Sequence, residues 1–200
     1  MKKILVLCML LLCMVGLTAC GQEKKESAVK AEPATAVFQT SMGDFEVKLA
    51  TDYAPKTSEN FIKLAKQGFY DGLTFHRVID NFMIQGGCPK GNGTGNPGWS
   101  IKGEFKANGI DNNIKHKRGV ISMARAQNPN SAGSQFFIMH EDAPHLDGMY
   151  AAFGKVTDGI DVVDAIADVA TDRFNDKPLK PVVIDSVVIT DLDGFEITKP

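Results

Sequence analysis

Few residues in this chain are placed to make or break a covalent bond. Its four histidines, His76, His116, His140 and His145, are not spaced as metal ligands, and no His-Glu-x-x-His run occurs. Ser134 lies in Gly133-Ser134-Gln135, which lacks the flanking pattern of a strained nucleophile turn. Gly93-Thr94-Gly95-Asn96-Pro97-Gly98 spells G-x-G-x-x-G, a motif that binds dinucleotides only between a strand and the N-terminus of a helix. Here Pro97 and Gly98 lead into Trp99-Ser100-Ile101, which does not start a helix, so these read as turn glycines. Cys88 has no activating neighbour in sequence and reads as an unreactive, partly buried thiol. A small hydrolase built on His76 or His140 would rest on single residues. The residues call for neither a metal nor a cofactor.

What remains is non-covalent chemistry around an arginine. Phe75-His76-Arg77-Val78-Ile79 is followed by Asp80-Asn81 and then by Phe82-Met83-Ile84-Gln85-Gly86-Gly87. Ser122-Met123-Ala124-Arg125-Ala126, Gly133-Ser134-Gln135-Phe136-Phe137-Ile138, Leu146-Asp147-Gly148 and Phe153-Gly154-Lys155-Val156 come later. In order and spacing these segments resemble the signature segments of cyclophilins, the peptidyl-prolyl cis-trans isomerases, and the likeness runs from Val37 to about Thr190. The resemblance implies a closed eight-stranded antiparallel β-barrel capped by two α-helices. It implies Arg77, Phe82 and Gln85 as catalytic residues, with Gln85 bonding the substrate backbone. It places Phe82, Met83, Phe137 and Leu146 around the proline ring, Ala124 and Arg125 along the peptide groove, and Gln135 at the border of the site. His145 and Tyr150 complete the substrate-binding set. His145 stands where many members carry tryptophan, Tyr150 where many carry histidine, and Arg125 where asparagine is usual, so weak cyclosporin inhibition is expected.

The implied chemistry suits these residue types. An X–Pro bond owes its slow turnover to partial double-bond character, and the barrier is lost resonance. In the twisted transition state the prolyl nitrogen becomes pyramidal and recovers its lone pair. A donor aimed at that nitrogen binds the twisted form better than either planar form, which is catalysis by differential binding. Arginine remains charged and presents several fixed donors.

The elements that would position these groups follow from periodicity. Phe45-Glu46-Val47-Lys48-Leu49 alternates as a half-buried strand, and Met42-Gly43-Asp44 before it is turn chemistry, so Ala36–Thr40 and Phe45–Leu49 form a hairpin. Pro55 opens a helix with Phe61, Ile62, Leu64 and Ala65 on its apolar face, and Gly68 closes it. Leu73–Ile79 and Phe82–Gln85 read as strands, and Cys88–Ile114 as long loops rich in Gly, Asn and Lys. Gly119–Ala124, Gln135–Met139, Tyr150–Val156 and Val182–Thr190 read as further strands. Ile160–Val169 reads as a second amphipathic helix.

The 200 residues are 44% hydrophobic and 23% charged, enough for one globular domain. A net charge of −2 gives no footprint for nucleic acid. Residues 1–19 read as a secretory signal: Met1-Lys2-Lys3 is basic, and the uncharged run Ile4–Leu17 is short of the about 20 residues a permanent span needs. Leu17-Thr18-Ala19-Cys20 resembles a bacterial lipobox, which implies a lipid on Cys20 and anchoring on the outer side of a membrane. With Cys8 and Cys13 lost in the signal, Cys88 would have no internal partner. Residues 20–35 read as the lipidated cysteine and a polar tether, leaving 36–200 as the isomerase domain. The expected partners are proline-containing segments of exported proteins, and nothing demands more than a monomer. A second reading keeps the same fold as a non-catalytic module that holds proline segments at the cell envelope.

Overall fold

The computed structural model describes residues 34–191. The expected signal segment, Cys20 and the expected tether up to residue 33 lie outside the described residues, as does 192–200. Within them the chain forms eight strands, two α-helices and two 3-10 turns. The first hairpin is made by β1 (Thr35–Thr40) and β2 (Gly43–Leu49). Its register pairs Phe38 with Phe45 and Ala36 with Val47. Alternation sends these four residues to the interior, where all are buried. Ala34 is fully buried and its carbonyl accepts the Leu49 amide at 2.8 Å. Ala34 and Thr35, expected in the tether, therefore belong to the fold.

Helix α1 (Pro55–Lys66) follows, with proline in its first turn and no capping side chain of its own. Glu104, far along the chain, supplies the cap. One carboxylate oxygen accepts the Lys56 amide at 3.1 Å, and the other accepts the Thr57 amide and hydroxyl, each at 2.7 Å. A negative group there also suits the positive end of the helix. Phe61 from this helix enters an aromatic cluster, 6.0 Å from Phe38, 5.8 Å from Phe136 and 5.3 Å from Phe153.

The other strands are β3 (Arg77–Ile79), β4 (Met83–Gly86), β5 (Val120–Met123), β6 (Phe136–Met139), β7 (Ala152–Asp158) and β8 (Ile184–Thr190). Helix α2 (Ile160–Ala167) packs Val163 and Ile166 into the core and ends two residues before the expected Val169. It starts after Gly159, whose φ is +71°, and an added Cβ there would lie 2.5 Å from the Asp44 carbonyl oxygen.

All eight strands join one antiparallel sheet in the order β3-β4-β6-β5-β7-β2-β1-β8. The expected closed barrel is thus corrected to an open half-barrel, because β3 and β8 share no ladder. The chain before β3 meets the start of β8 at an isolated bridge between Thr74 and Val183, with the amide of Phe75 donating to the Val182 carbonyl at 3.0 Å, that of Ile184 to Leu73 at 2.7 Å and that of Gly72 to Ile184 at 2.8 Å. Two features keep the seam open. Strand β3 has three residues, so Leu73–His76 does not extend it as expected. The amide of Val78 is taken by the Asp176 carbonyl at 2.8 Å, so a loop occupies part of the edge that a closing strand would need.

The sheet carries two packed faces. Val78, Ile84, Ile121, Phe136 and Ile138 point inward to the main core with Phe38, Phe61 and Phe153. Met83, Val120, Phe137 and Met139 belong to a smaller outer cluster, against which Ile79, Phe82, Ala124, Leu146 and Tyr150 pack.

Candidate active site

The outer cluster forms the floor of the site. Register pairs Arg77 with Gln85 and Ile79 with Met83 between β3 and β4. It then pairs Gln85 with Phe137 and Met83 with Met139 between β4 and β6. Because successive side chains alternate, Arg77, Met83, Gln85 and Phe137 share the outward face while their neighbours fill the core. A hollow of about 230 Å³ opens there, lined by Arg77, Phe82, Met83, Gln85, Ala124, Arg125, Phe137, Leu146 and Tyr150. Nine of the eleven residues expected at the site thus meet around one space.

The two others sit beside it. Gln135 lines an adjoining cavity, accepts a hydrogen bond from Gln85 Nε2 at 3.1 Å, and donates to the carbonyls of Gly93 and Gly95 at 2.9 and 2.8 Å. The Gly93–Gly98 run is therefore a loop clamped to the site, as its turn glycines suggested. His145 stacks on the Phe82 ring with centroids 5.9 Å apart and contributes no wall to the hollow.

The guanidinium of Arg77 is held at one corner. Its Nε donates to Asp176 Oδ2 at 3.3 Å, and among the described residues neither Nη group has a partner. Asp176 adopts φ +57°, a left-handed conformation that aspartate tolerates better than most residues. One terminal face of the fork is left to meet a bound molecule.

Arg125, expected along the peptide groove, lines the hollow but spends its guanidinium on the protein's own backbone. Nε and Nη2 donate to the Met149 carbonyl at 3.3 and 2.9 Å, and Nη1 donates to the carbonyls of Ala126 and Gln127 at 2.9 and 3.3 Å. The same guanidinium lies over the rings of Tyr150 and Phe105, 4.6 and 5.2 Å from their centroids. Tyr150 in turn meets Phe137 edge-on at 5.7 Å. Arg125 thus braces one wall of the hollow.

Behind Phe137 lies a buried polar support. The His116 ring stacks on Phe137 at 6.0 Å, with Nδ1 3.3 Å from Asp147 Oδ1 and Nε2 3.1 Å from the Ser122 hydroxyl. Burial pushes the His116 pKa below the ordinary imidazole value, although Asp147 opposes it. For Asp147, burial acts to raise the pKa, but hydrogen bonds from the His116 amide and ring and from Lys115 outweigh it and hold the carboxyl low. Sequence reasoning missed His116, Asp147 as its partner, and Asp176. Leu146-Asp147-Gly148 was visible as a segment, but no local signal tied its aspartate to His116.

Comparison with known proteins agrees with this geometry. The family model of cyclophilin-type peptidyl-prolyl cis-trans isomerases matches residues 35–189. The chain belongs to that family. Among its cyclophilin relatives, peptidyl-prolyl cis-trans isomerase B of Bacillus subtilis is 53% identical over 116 residues, covering 58% of this chain and 78% of the relative. A peptidyl-prolyl cis-trans isomerase of Helicobacter pylori is 49% identical over 138 residues, covering 68% and 82%. The crystal structure of a Cryptosporidium parvum cyclophilin superposes with a TM-score of 0.72 at 33% identity, covering 80% of this chain and 98% of that one. As a cyclophilin the chain is a prolyl isomerase, and the hollow at Arg77 is its candidate active site.

Proposed function

We propose that Arg77 and the hollow beside it accelerate rotation about X–Pro bonds in exported polypeptides, assisting their folding. The observation that carries this reading is the pairing of a guanidinium with free Nη groups and an apolar floor of Phe82, Met83, Phe137 and Leu146 around one cavity. The apolar walls hold the pyrrolidine ring while the preceding carbonyl turns. As the nitrogen becomes pyramidal, Arg77 Nη donates to its returning lone pair, an interaction absent from both planar forms. Gln85 lies opposite Arg77 across the β3–β4 pair, where its amide reaches the substrate backbone and fixes the strand being twisted. Phe82 closes the ring pocket, supported from outside by His145.

The test is a prolyl-peptide isomerisation assay on the purified full-length protein beside Arg77→Ala. Loss of one preorganised donor in a transition-state site lowers kcat by about 100- to 1,000-fold. Equal rates in both proteins would leave the non-catalytic binding module as the better reading.

Export and anchoring are part of the same proposal and rest on Leu17-Thr18-Ala19-Cys20 after the basic, apolar segment. A lipid on Cys20, joined through a polar tether, would keep a monomeric isomerase at the outer side of a membrane, where newly exported chains emerge. Radioactive palmitate incorporated by the expressing cells should label the protein and be lost in Cys20→Ala. Labelling that persists in the variant would reject the anchor.

A further inference from the structure

A second cavity adjoins the prolyl hollow across Arg77 and Gln85, which line both. Its volume is about 280 Å³, and its remaining walls are His76, Asn175, Lys177 and the Gly91-Asn92-Gly93 turn. The chemistry of this lining is one-sided. Asn92 Oδ1 is already occupied, accepting from the Thr94 amide at 3.0 Å and its hydroxyl at 2.8 Å. Asn175 Oδ1 likewise accepts the Lys177 amide at 3.0 Å. Both carboxamides therefore keep their NH2 groups as the spare polar function. Lys177 makes no ion pair among the described residues, and its side chain is exposed. No carboxylate lines the space: Asp176 holds Arg77 from outside it, and Asp172 caps the Phe174 amide at 2.8 Å. Gln85, with one amide hydrogen spent on Gln135, and the neutral His76 ring, whose two nitrogens have no hydrogen-bond partner among the described residues, are the side chains that keep an acceptor.

A cavity lined by two cations, two spare amide donors and no acid favours an oxyanion. It shares Arg77 and Gln85 with the proline pocket, which puts it within reach of a side chain on the same polypeptide as the proline. We propose that this cavity is a subsite for an acidic side chain close in sequence to the isomerised proline, read chiefly by Lys177 with Asn92 and Asn175. The role rests on the isomerase reading above and adds a substrate preference to it. A carboxylate and a phosphoryl group share the required chemistry, and substrates separate them.

The measurement is kcat/KM of the full-length protein on matched peptides. Glu, Gln, Lys or phosphoserine is placed in turn at each of the two positions before and after the X–Pro pair. The expected result is a Glu over Gln ratio of about two- to fivefold at one position, the range of a solvent-exposed ion pair. That ratio should fall to about one in Lys177→Ala, survive in Lys177→Arg, shrink at high salt, and invert when Lys replaces Glu. A response to phosphoserine alone would assign the site to phosphoryl groups and overturn the carboxylate preference. Ratios near one at every position, or a preference that persists in Lys177→Ala, would overturn the subsite. If no peptide turned over, the isomerase reading would fail instead, and calorimetric Kd ratios for the same peptides would decide the subsite on the same terms.

Discussion

Asp176 grips Arg77 by its Nε at 3.3 Å while its own backbone carbonyl accepts the amide of Val78, the next residue of β3. One residue of a distant loop thus fixes both the strand that carries the guanidinium and the side chain itself. The pair is half-exposed, so its effect on stability is small. Its effect on orientation is larger, because a fork held at Nε can turn only about one axis. Asp176→Asn should lower kcat/KM by about two- to fivefold with the melting temperature unchanged. Arg77→Lys, which loses the fork as well as the Nε contact, should lose more. Unchanged kinetics in Asp176→Asn would show that the contact does not position the arginine.

The carboxylate of Glu104 joins the long loop to the start of α1 through three hydrogen bonds. It is buried, so truncation leaves two amides and a hydroxyl without partners. Glu104→Ala should cost about 1–3 kcal/mol in urea unfolding. Glu104→Gln, which keeps an acceptor but loses the charge, should cost less. A stability within about 0.5 kcal/mol of the parent in Glu104→Ala would remove the cap from the account.

Cyclosporin should inhibit weakly, since His145 rather than tryptophan stacks on Phe82. His145→Trp enlarges the apolar surface beside the hollow and should tighten inhibition by about three- to tenfold. Low-nanomolar inhibition of the unaltered protein in a titration would contradict the expectation.

Acid should destabilise the fold earlier than its carboxylates alone would require. Burial holds the pKa values of His76 and His116 below the ordinary value of 6.5. Each therefore binds fewer protons folded than unfolded once the pH drops toward that value. The stability contributed by the neutral rings is complete above about pH 6.5 and is lost as pH falls through that value toward the depressed folded ones. Melting temperature should decline over this interval, and His116→Gln should make the decline shallower. A flat profile from about pH 7.5 to pH 5 would contradict it.

The hairpin, α1, β4, β6 and β8 were legible because each is written locally, as alternation at Phe45–Leu49 or as the apolar face of Phe61, Ile62, Leu64 and Ala65. Most of the expected site residues were legible because they lie on compact segments with family spacing; His145 and Tyr150 flank one of them. What the sequence hid was partnership over distance. Asp176 stands 99 positions from Arg77, and Glu104 stands 47 from Thr57. Nothing near either residue announces the contact. Leu73–His76 looked like strand because Leu73, Thr74 and Phe75 suit one, yet its backbone groups are divided among the Tyr70 turn, Gln85 of β4 and the start of β8 rather than given to one partner. The use of Arg125 as a brace depended on the Met149 carbonyl coming within reach, which only the folded loop decides.

Adjacent letters of β6 serve opposite sides of the same wall: Phe136 and Ile138 inside, Phe137 and Met139 outside. A slip of one residue in that strand would drive Phe137 into the interior and turn Phe136 out to solvent, erasing the catalytic surface and the core together. Turnover is therefore a faithful reporter of correct strand pairing in this molecule, since no misregistered form can retain it in part. An isomerase so built has no half-competent version of itself.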